Sequence, residues 1–156
     1  MKFDFRWQPL NWEPLAAKDL RIGWEREWDV PITYQLIAWY ADLAQDMHPW
    51  YSPRGSPFGP PVAPPLLISR LAAQLLVPLG RMLGFLNTYN RTETLAPTVV
   101  GTVVRFHGRI DDLYERRGRR YVRLSVQARD AESGTALLRE SKEFVVAPEG
   151  AVSSDG

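Results

Sequence analysis

The chain contains no cysteine, which removes disulfide frameworks, thiolate metal ligands and thiol nucleophiles together. Histidine is nearly as scarce: His48 and His107 are the only two, far apart in sequence, so imidazole metal chemistry has no cluster to start from. Neither sign of charge prevails. Nineteen Lys and Arg against eighteen Asp and Glu leave a formal net charge of +1, so no global field draws the chain to nucleic acid or anionic lipid. The most apolar stretch, 66–83, is interrupted by Arg70, Gln74, Pro78 and Arg81 and reads as a buried helix rather than a membrane span. Met1 to Trp7 has neither an uninterrupted apolar core nor a small-residue cleavage site, which makes the cytoplasm the expected location.

What is present is ordinary globular material with two excesses. At 156 residues, 45% apolar and 24% charged, the chain is sized for one core without staples. Proline (13) and tryptophan (6) are the excesses. Trp7, Pro9, Trp12 and Pro14 place an irregular covering arm at 1–18, and a frayed tail is expected at 148–156. Between them, 19–147 reads as one domain.

Within that domain, Trp24 to Val30 alternates large apolar with charged residues, the period of a half-buried strand that Pro31 ends. Thr33 is placed to cap a helix running to about Gln45, with Leu36, Ile37, Tyr40, Ala41 and Ala44 on one face. A proline-crowded loop, 46–63, has few accessible conformations and is inexpensive to order. Pro64 and Pro65 then start a second helix, since missing donors are tolerated in a first turn. Its apolar residues, Leu66 to Val77, are not confined to one stripe, so it should be enclosed by other structure. From Phe85 the pattern is strand-like. Val104, Phe106, Gly108 and Ile110 share a face, as do Val122, Leu124, Val126 and Ala128, with turns at Gly118 and Ser133–Gly134 and a last strand at 137–146. Helices on one face of an antiparallel meander make an α+β domain. A single antiparallel sheet wrapped around a buried central helix is the hot-dog fold.

The stretches Asp19–Gly23, Ile32–Thr33 with Leu36–Ile37 and Tyr40–Ala41, Asp46–Tyr51, Gly59–Pro65 and the strands from Thr102 to Val146 resemble the MaoC-like dehydratases and (R)-specific enoyl-CoA hydratases, especially their N-terminal-type dehydratase domains. The most specific part is the order LI..YA....D..P followed by Ala63-Pro64-Pro65. The resemblance implies a substrate that is an acyl thioester of CoA or acyl-carrier protein, no cofactor or metal, and pairing of hot-dog subunits. In active members an Asp is followed by Pro three residues on and by the catalytic His five residues on. Here those positions read Asp46, Pro49 and Tyr51, so Tyr stands where His is expected. An unperturbed tyrosine near pKa 10 is a poor base at neutral pH beside a histidine near 6.5.

The catalytic candidates are therefore Asp46, His48 and Tyr51. His48 either takes over proton transfer or is a structural hydrogen-bonding residue, and Asp46 either joins the site or caps a turn before Pro49. The family also places a backbone donor for the thioester oxygen at the start of the buried helix. Because Pro64 and Pro65 have no N–H, Ala63, Leu66 and Leu67 are the residues left to offer one. These three, with Trp50 and Phe58, are the substrate-binding candidates. Arg116, Arg117, Arg119 and Arg120 form either a CoA-phosphate contact or a solvated hairpin tip. Trp24, Trp28, Trp39 and Trp50 form either an acyl-binding wall or core packing.

Three functions compete. The first is hydration of a 2-enoyl-CoA, or the reverse dehydration of a 3-hydroxyacyl-CoA. The second is a non-catalytic acyl-CoA-binding subunit that pairs with a catalytic MaoC-like partner, which Tyr51 favours. A hot-dog thioesterase ranks last, because it needs a carboxylate beside the buried helix and 63–84 contains neither Asp nor Glu. A homodimer or heterodimer is expected, since an open sheet around one helix leaves an apolar edge to cover.

Overall fold

A computed structural model describes residues 20–73 and 85–146. The expected arm at 1–18, the tail at 148–156 and the later part of the buried helix lie outside the described residues. Five strands form one antiparallel sheet: β1 (Glu25–Pro31), β2 (Phe85–Thr94), β3 (Val103–Arg116), β4 (Arg119–Asp130) and β5 (Ala136–Val146), in the order β1-β3-β4-β5-β2. Two α-helices, α1 (Tyr34–Ala44) and α2 (Pro65–Ala72), share a core with the sheet's inner face. Among the described residues no helix is long and apolar enough to cross a membrane.

The two-residue period of β3 and β4 decides which face is inside. Val104, Phe106 and Ile110 of β3 and Val122, Leu124, Val126 and Ala128 of β4 are all buried to within 1% exposure. The register pairs Phe106 with Ala128 and Ile110 with Leu124, so the inward residues form a continuous floor. Leu67, Ile68, Leu71 and Ala72 of α2 are sealed in the same core, at 0–3% exposure. Each such Val, Leu, Ile or Phe side chain contributes roughly 1.5–3 kcal/mol by leaving water. Trp28 of β1 lies flat on its register partner Phe106, with centroids 5.2 Å apart and planes 12° apart.

Both ends of α1 are explained locally. The Thr33 hydroxyl accepts the Leu36 N–H at 3.2 Å, the expected cap. At the other end Gln45 adopts the left-handed conformation (φ 53°) that glycine usually supplies. Its amide compensates by donating to the Asp42 carbonyl at 2.7 Å, and the Asp46 N–H returns to Ala41 at 2.9 Å. Leu36, Ile37 and Ala41 are buried and Tyr40 half-buried, whereas Ala44, placed on the same face by periodicity, is exposed in the last turn.

The outer face is held by charge. Asp29 of β1 takes a two-pronged contact from Arg105 of β3 at 2.7 and 2.8 Å. Glu143 of β5 accepts from Tyr114 of β3 at 2.6 Å, Thr88 of β2 at 3.1 Å and Arg123 of β4 at 3.2 Å, so one carboxylate links four strands. The Tyr114 hydroxyl, with help from Arg123 and Thr88, holds the Glu143 carboxyl below the usual carboxylate range. A group whose pKa is depressed by folding contributes stability above its unfolded value, and that stability is lost as pH falls through the depressed one. Glu143→Gln is therefore expected to cost about 1 kcal/mol in urea unfolding at pH 7. The difference from the parent should shrink towards zero as the pH is lowered below about 4. An undiminished difference under acid would contradict the electrostatic origin.

Candidate functional site

The proline-rich loop is strapped across the end of the sheet by its backbone. Val62 N–H donates to the Trp50 carbonyl at 2.9 Å, Ala63 N–H to Thr98 at 2.7 Å, and Val100 N–H to Pro61 at 2.8 Å. Within the loop, Ser56 and Gly59 exchange hydrogen bonds at 3.0 Å, and Gly55 passes so close that a Cβ there would lie 2.3 Å from the Gly59 carbonyl oxygen. Only glycine fits that approach, and the fold it permits presents Phe58 against Trp50, ring edge to face at 5.8 Å.

Strap, helix start and sheet end enclose a cavity of about 470 Å³, within the range of roughly 300–1,000 Å³ common for small-molecule sites. His48, Trp50, Tyr51 and Phe58 line it from the loop, and Ala63, Pro65 and Ile68 from the start of α2. Leu95 to Thr98 and Leu137–Leu138 form the opposite wall. That wall was not among the sequence candidates; the only signal for it was Ala96-Pro97-Thr98 breaking the pattern between two strands.

The three polar candidates sit together. Burial raises the pKa of the Tyr51 phenol, and the nearby Asp46 carboxylate raises it further through its charge and its capacity to accept the phenol proton. Tyr51 thus holds its proton more firmly than free tyrosine. His48 lies 5.4 Å from the Tyr51 ring and 5.1 Å from Trp50. Its Nδ1 accepts the Trp50 N–H at 3.3 Å, capping the 3-10 turn at Pro49–Tyr51. An Nδ1 that accepts places the ring proton of the neutral imidazole on Nε2. The turn is thus capped by His48, leaving the Asp46 carboxylate, exposed and outside the cavity lining, to meet Tyr51.

The backbone donors divide unequally. Ala63 N–H is used by Thr98 and Leu67 N–H by Pro64 at 2.9 Å, so the Leu66 N–H is the one of the three with no backbone acceptor among the described residues. The side chain of Leu67 is buried in the core away from the cavity, and that of Leu66 is exposed outside it. Of the tryptophans, Trp50 lines the cavity, Trp28 is core, and Trp24 and Trp39 pack against the core. The arginine hairpin turns at Arg117–Gly118, both with positive φ, and is solvated. Along β4 it starts eight residues from Ala128, whose partner Leu138 lines the cavity, or roughly 26 Å at strand rise. One carboxylate does stand beside the buried helix, although helix composition suggests none: Glu140 of β5 accepts the Ser69 hydroxyl of α2. Among the described residues no group of three His, Asp or Glu is placed to hold a metal ion.

No family model matches the sequence, and no curated protein is similar to it. Solved structures share its fold. The (R)-hydratase from A. caviae involved in PHA biosynthesis has a TM-score of 0.71 over 84% of this chain and 100% of its own, at 17% identity. The MaoC-like dehydratase from Rhodospirillum rubrum has a TM-score of 0.69 over 86% and 99%, at 20% identity. The HadBC (3R-hydroxyacyl-ACP dehydratase) complex from Mycobacterium tuberculosis has a TM-score of 0.69 over 80% and 96%, at 16% identity. The chain has the hot-dog fold that these structures share.

The Tyr51 and Asp46 pairing has a spectroscopic test. The ultraviolet titration difference between the parent and Tyr51→Phe should place this phenol above the ordinary value near 10. Asp46→Asn should move it down, because the neutral amide removes the charge that opposes phenolate formation. A titration unmoved by Asp46→Asn would show that the carboxylate does not face the phenol.

Proposed function

We propose that this chain is a cytoplasmic hydratase/dehydratase of acyl thioesters, adding water to a 2-enoyl-CoA or acyl-carrier-protein thioester, or removing it from the 3-hydroxyacyl form. The observation that carries the reading is the convergence of His48, Trp50 and Tyr51, with Asp46 beside Tyr51, and the first turn of α2 on one apolar cavity. Water addition needs a proton acceptor near C3 and a donor for the thioester oxygen, which becomes enolate-like. The Asp46 carboxylate, oriented by the Tyr51 hydroxyl, takes a proton from the attacking water as its oxygen bonds to C3. The same proton then passes to C2. In this reading the Leu66 N–H, at the positive end of α2, donates to the carbonyl oxygen. Aromatic Trp50 and Phe58 form the mouth, and Ile68, Leu137 and Leu138 receive the acyl chain.

Two details favour a second reading, an acyl-thioester-binding subunit that leaves chemistry to a MaoC-like partner. Tyr51 replaces the expected histidine and keeps its proton, and the Nδ1 lone pair of His48 is committed to the Trp50 N–H. Crotonyl-CoA hydration by the purified chain separates the two. Turnover by the chain alone supports the enzyme, and Asp46→Asn should then lower it by about a hundredfold. His48→Ala, which removes a cap, should cost less than about tenfold. Turnover only with a catalytic partner supports the subunit. Absence of both turnover and acyl-CoA binding would contradict both.

Either reading requires pairing. β2 is an edge strand whose residues from Leu86 to Thr94 are exposed, including Leu86 at 63% and Tyr89 at 49%, and such an edge is covered in a stable protein. Light scattering at micromolar concentration should give a homodimer mass. A monomer would leave the heteromeric form as the one assembly that covers β2.

A further inference from the structure

The inner face of β5 breaks its own rule. Leu138, Phe144 and Val146 are apolar as a core-facing row should be, but the two residues between them are Glu140 and Lys142, at 2% and 6% exposure. The Lys142 ammonium lies 3.1 Å from Glu140 Oε2. The other carboxylate oxygen, Oε1, accepts the Thr92 hydroxyl of β2 at 2.8 Å and the Ser69 hydroxyl of α2, itself buried. Oε2 has no hydrogen bond of acceptable geometry despite its nearness to Lys142. A buried carboxylate oxygen and an ammonium with three donors therefore keep hydrogen-bonding capacity in a place where such capacity is costly to leave unused.

The cluster adjoins the cavity along the β2–β5 register without lining it. Thr94 and Leu138 are register partners that line the cavity, and Thr92 and Glu140 are the next pair on the same face. Ser69 follows Ile68, another lining residue. β2 continues the polar character: Thr94, Thr92 and Asn90 share one face, Asn90 opposite Lys142, and all three are exposed. A polar track thus leads from the apolar cavity to a buried ion pair.

We propose that Ser69, Thr92, Glu140 and Lys142 form a polar subsite just beyond the Thr94–Leu138 pair of the acyl cavity, which selects acyl groups carrying a hydroxyl at their far end. The inference rests on the acyl-thioester reading above. A hydroxyl is the smallest group that matches both open functions: it donates to Glu140 Oε2 and accepts from the Lys142 ammonium. A methyl terminus pressed against the pair would strip water from charge without replacing it.

The test is isothermal titration of the full chain with saturated acyl-CoAs of roughly four to ten carbons, spanning the pocket sizes usual for small ligands, each paired with its terminally hydroxylated counterpart. Saturated chains cannot be hydrated, so binding alone is read. At one chain length the hydroxyl should tighten binding by about tenfold or more, the worth of one charge-assisted hydrogen bond. The double variant Glu140→Leu/Lys142→Met should abolish that preference. Both charges are removed together because removing one strands the other, whereas an apolar replacement of the pair commonly folds. Should circular dichroism show that it does not fold, Thr92→Val, at an exposed position, should reduce the preference several-fold. Saturated chains that bind with no gain from the hydroxyl at any length overturn the subsite and leave the thioester reading standing. Failure of every acyl-CoA to bind overturns both.

Discussion

The hydrogen bond from Ala63 N–H to the Thr98 carbonyl fixes the geometry on which everything at the site depends. Ala63 is the last residue before the two prolines that open α2, and Thr98 belongs to the connection between β2 and β3. Joining them sets the start of the buried helix against the sheet end. The neighbouring bonds from Val62 to Trp50 and from Val100 to Pro61 carry the constraint into the loop that holds His48 and Tyr51. Pro49, Pro53, Pro57, Pro60 and Pro61 lower the entropy of that loop before it folds. Three backbone bonds then suffice to hold a segment of irregular structure as the wall of a cavity.

The same constraint decides which backbone donors stay open. Because Ala63 N–H is committed to Thr98 and the two prolines have no donor, the positive end of α2 offers its free N–H from Leu66. The 3-10 turn takes the Nδ1 lone pair of His48, which leaves Asp46 and Tyr51 facing one another beside it. Tyr51, standing where the sequence resemblance leads one to expect histidine, has its pKa raised by burial and by Asp46.

Much of the fold was legible because periodicity reports burial directly. The alternation of Val104, Phe106, Gly108 and Ile110, and of Val122, Leu124, Val126 and Ala128, names the inward rows, and Thr33 names the start of α1. The end of α1 was less legible, since Gln45 adopts a conformation that no local signal marks. At the site, Trp50 and Phe58, both named as substrate-binding candidates, line the cavity. Leu95 to Thr98, Leu137 and Leu138 were missed because they meet the loop only through strand pairing. Glu140 and Lys142 were invisible for a related reason: two charged residues on a terminal strand read as its solvent face. Their burial follows from the register with β2 and from Ser69 on α2, neither of which is a property of the strand alone.

Methyl-resolved NMR during titration with butyryl-CoA tests the central claim most directly, namely that an acyl group enters the space between the strap and the sheet end. The account predicts saturable shifts of the Ile68, Leu95, Leu137 and Leu138 methyls, with Val122 and Val126, sealed in the core, nearly unmoved. Shifts confined to methyls outside that wall, or none at saturating ligand, would contradict it.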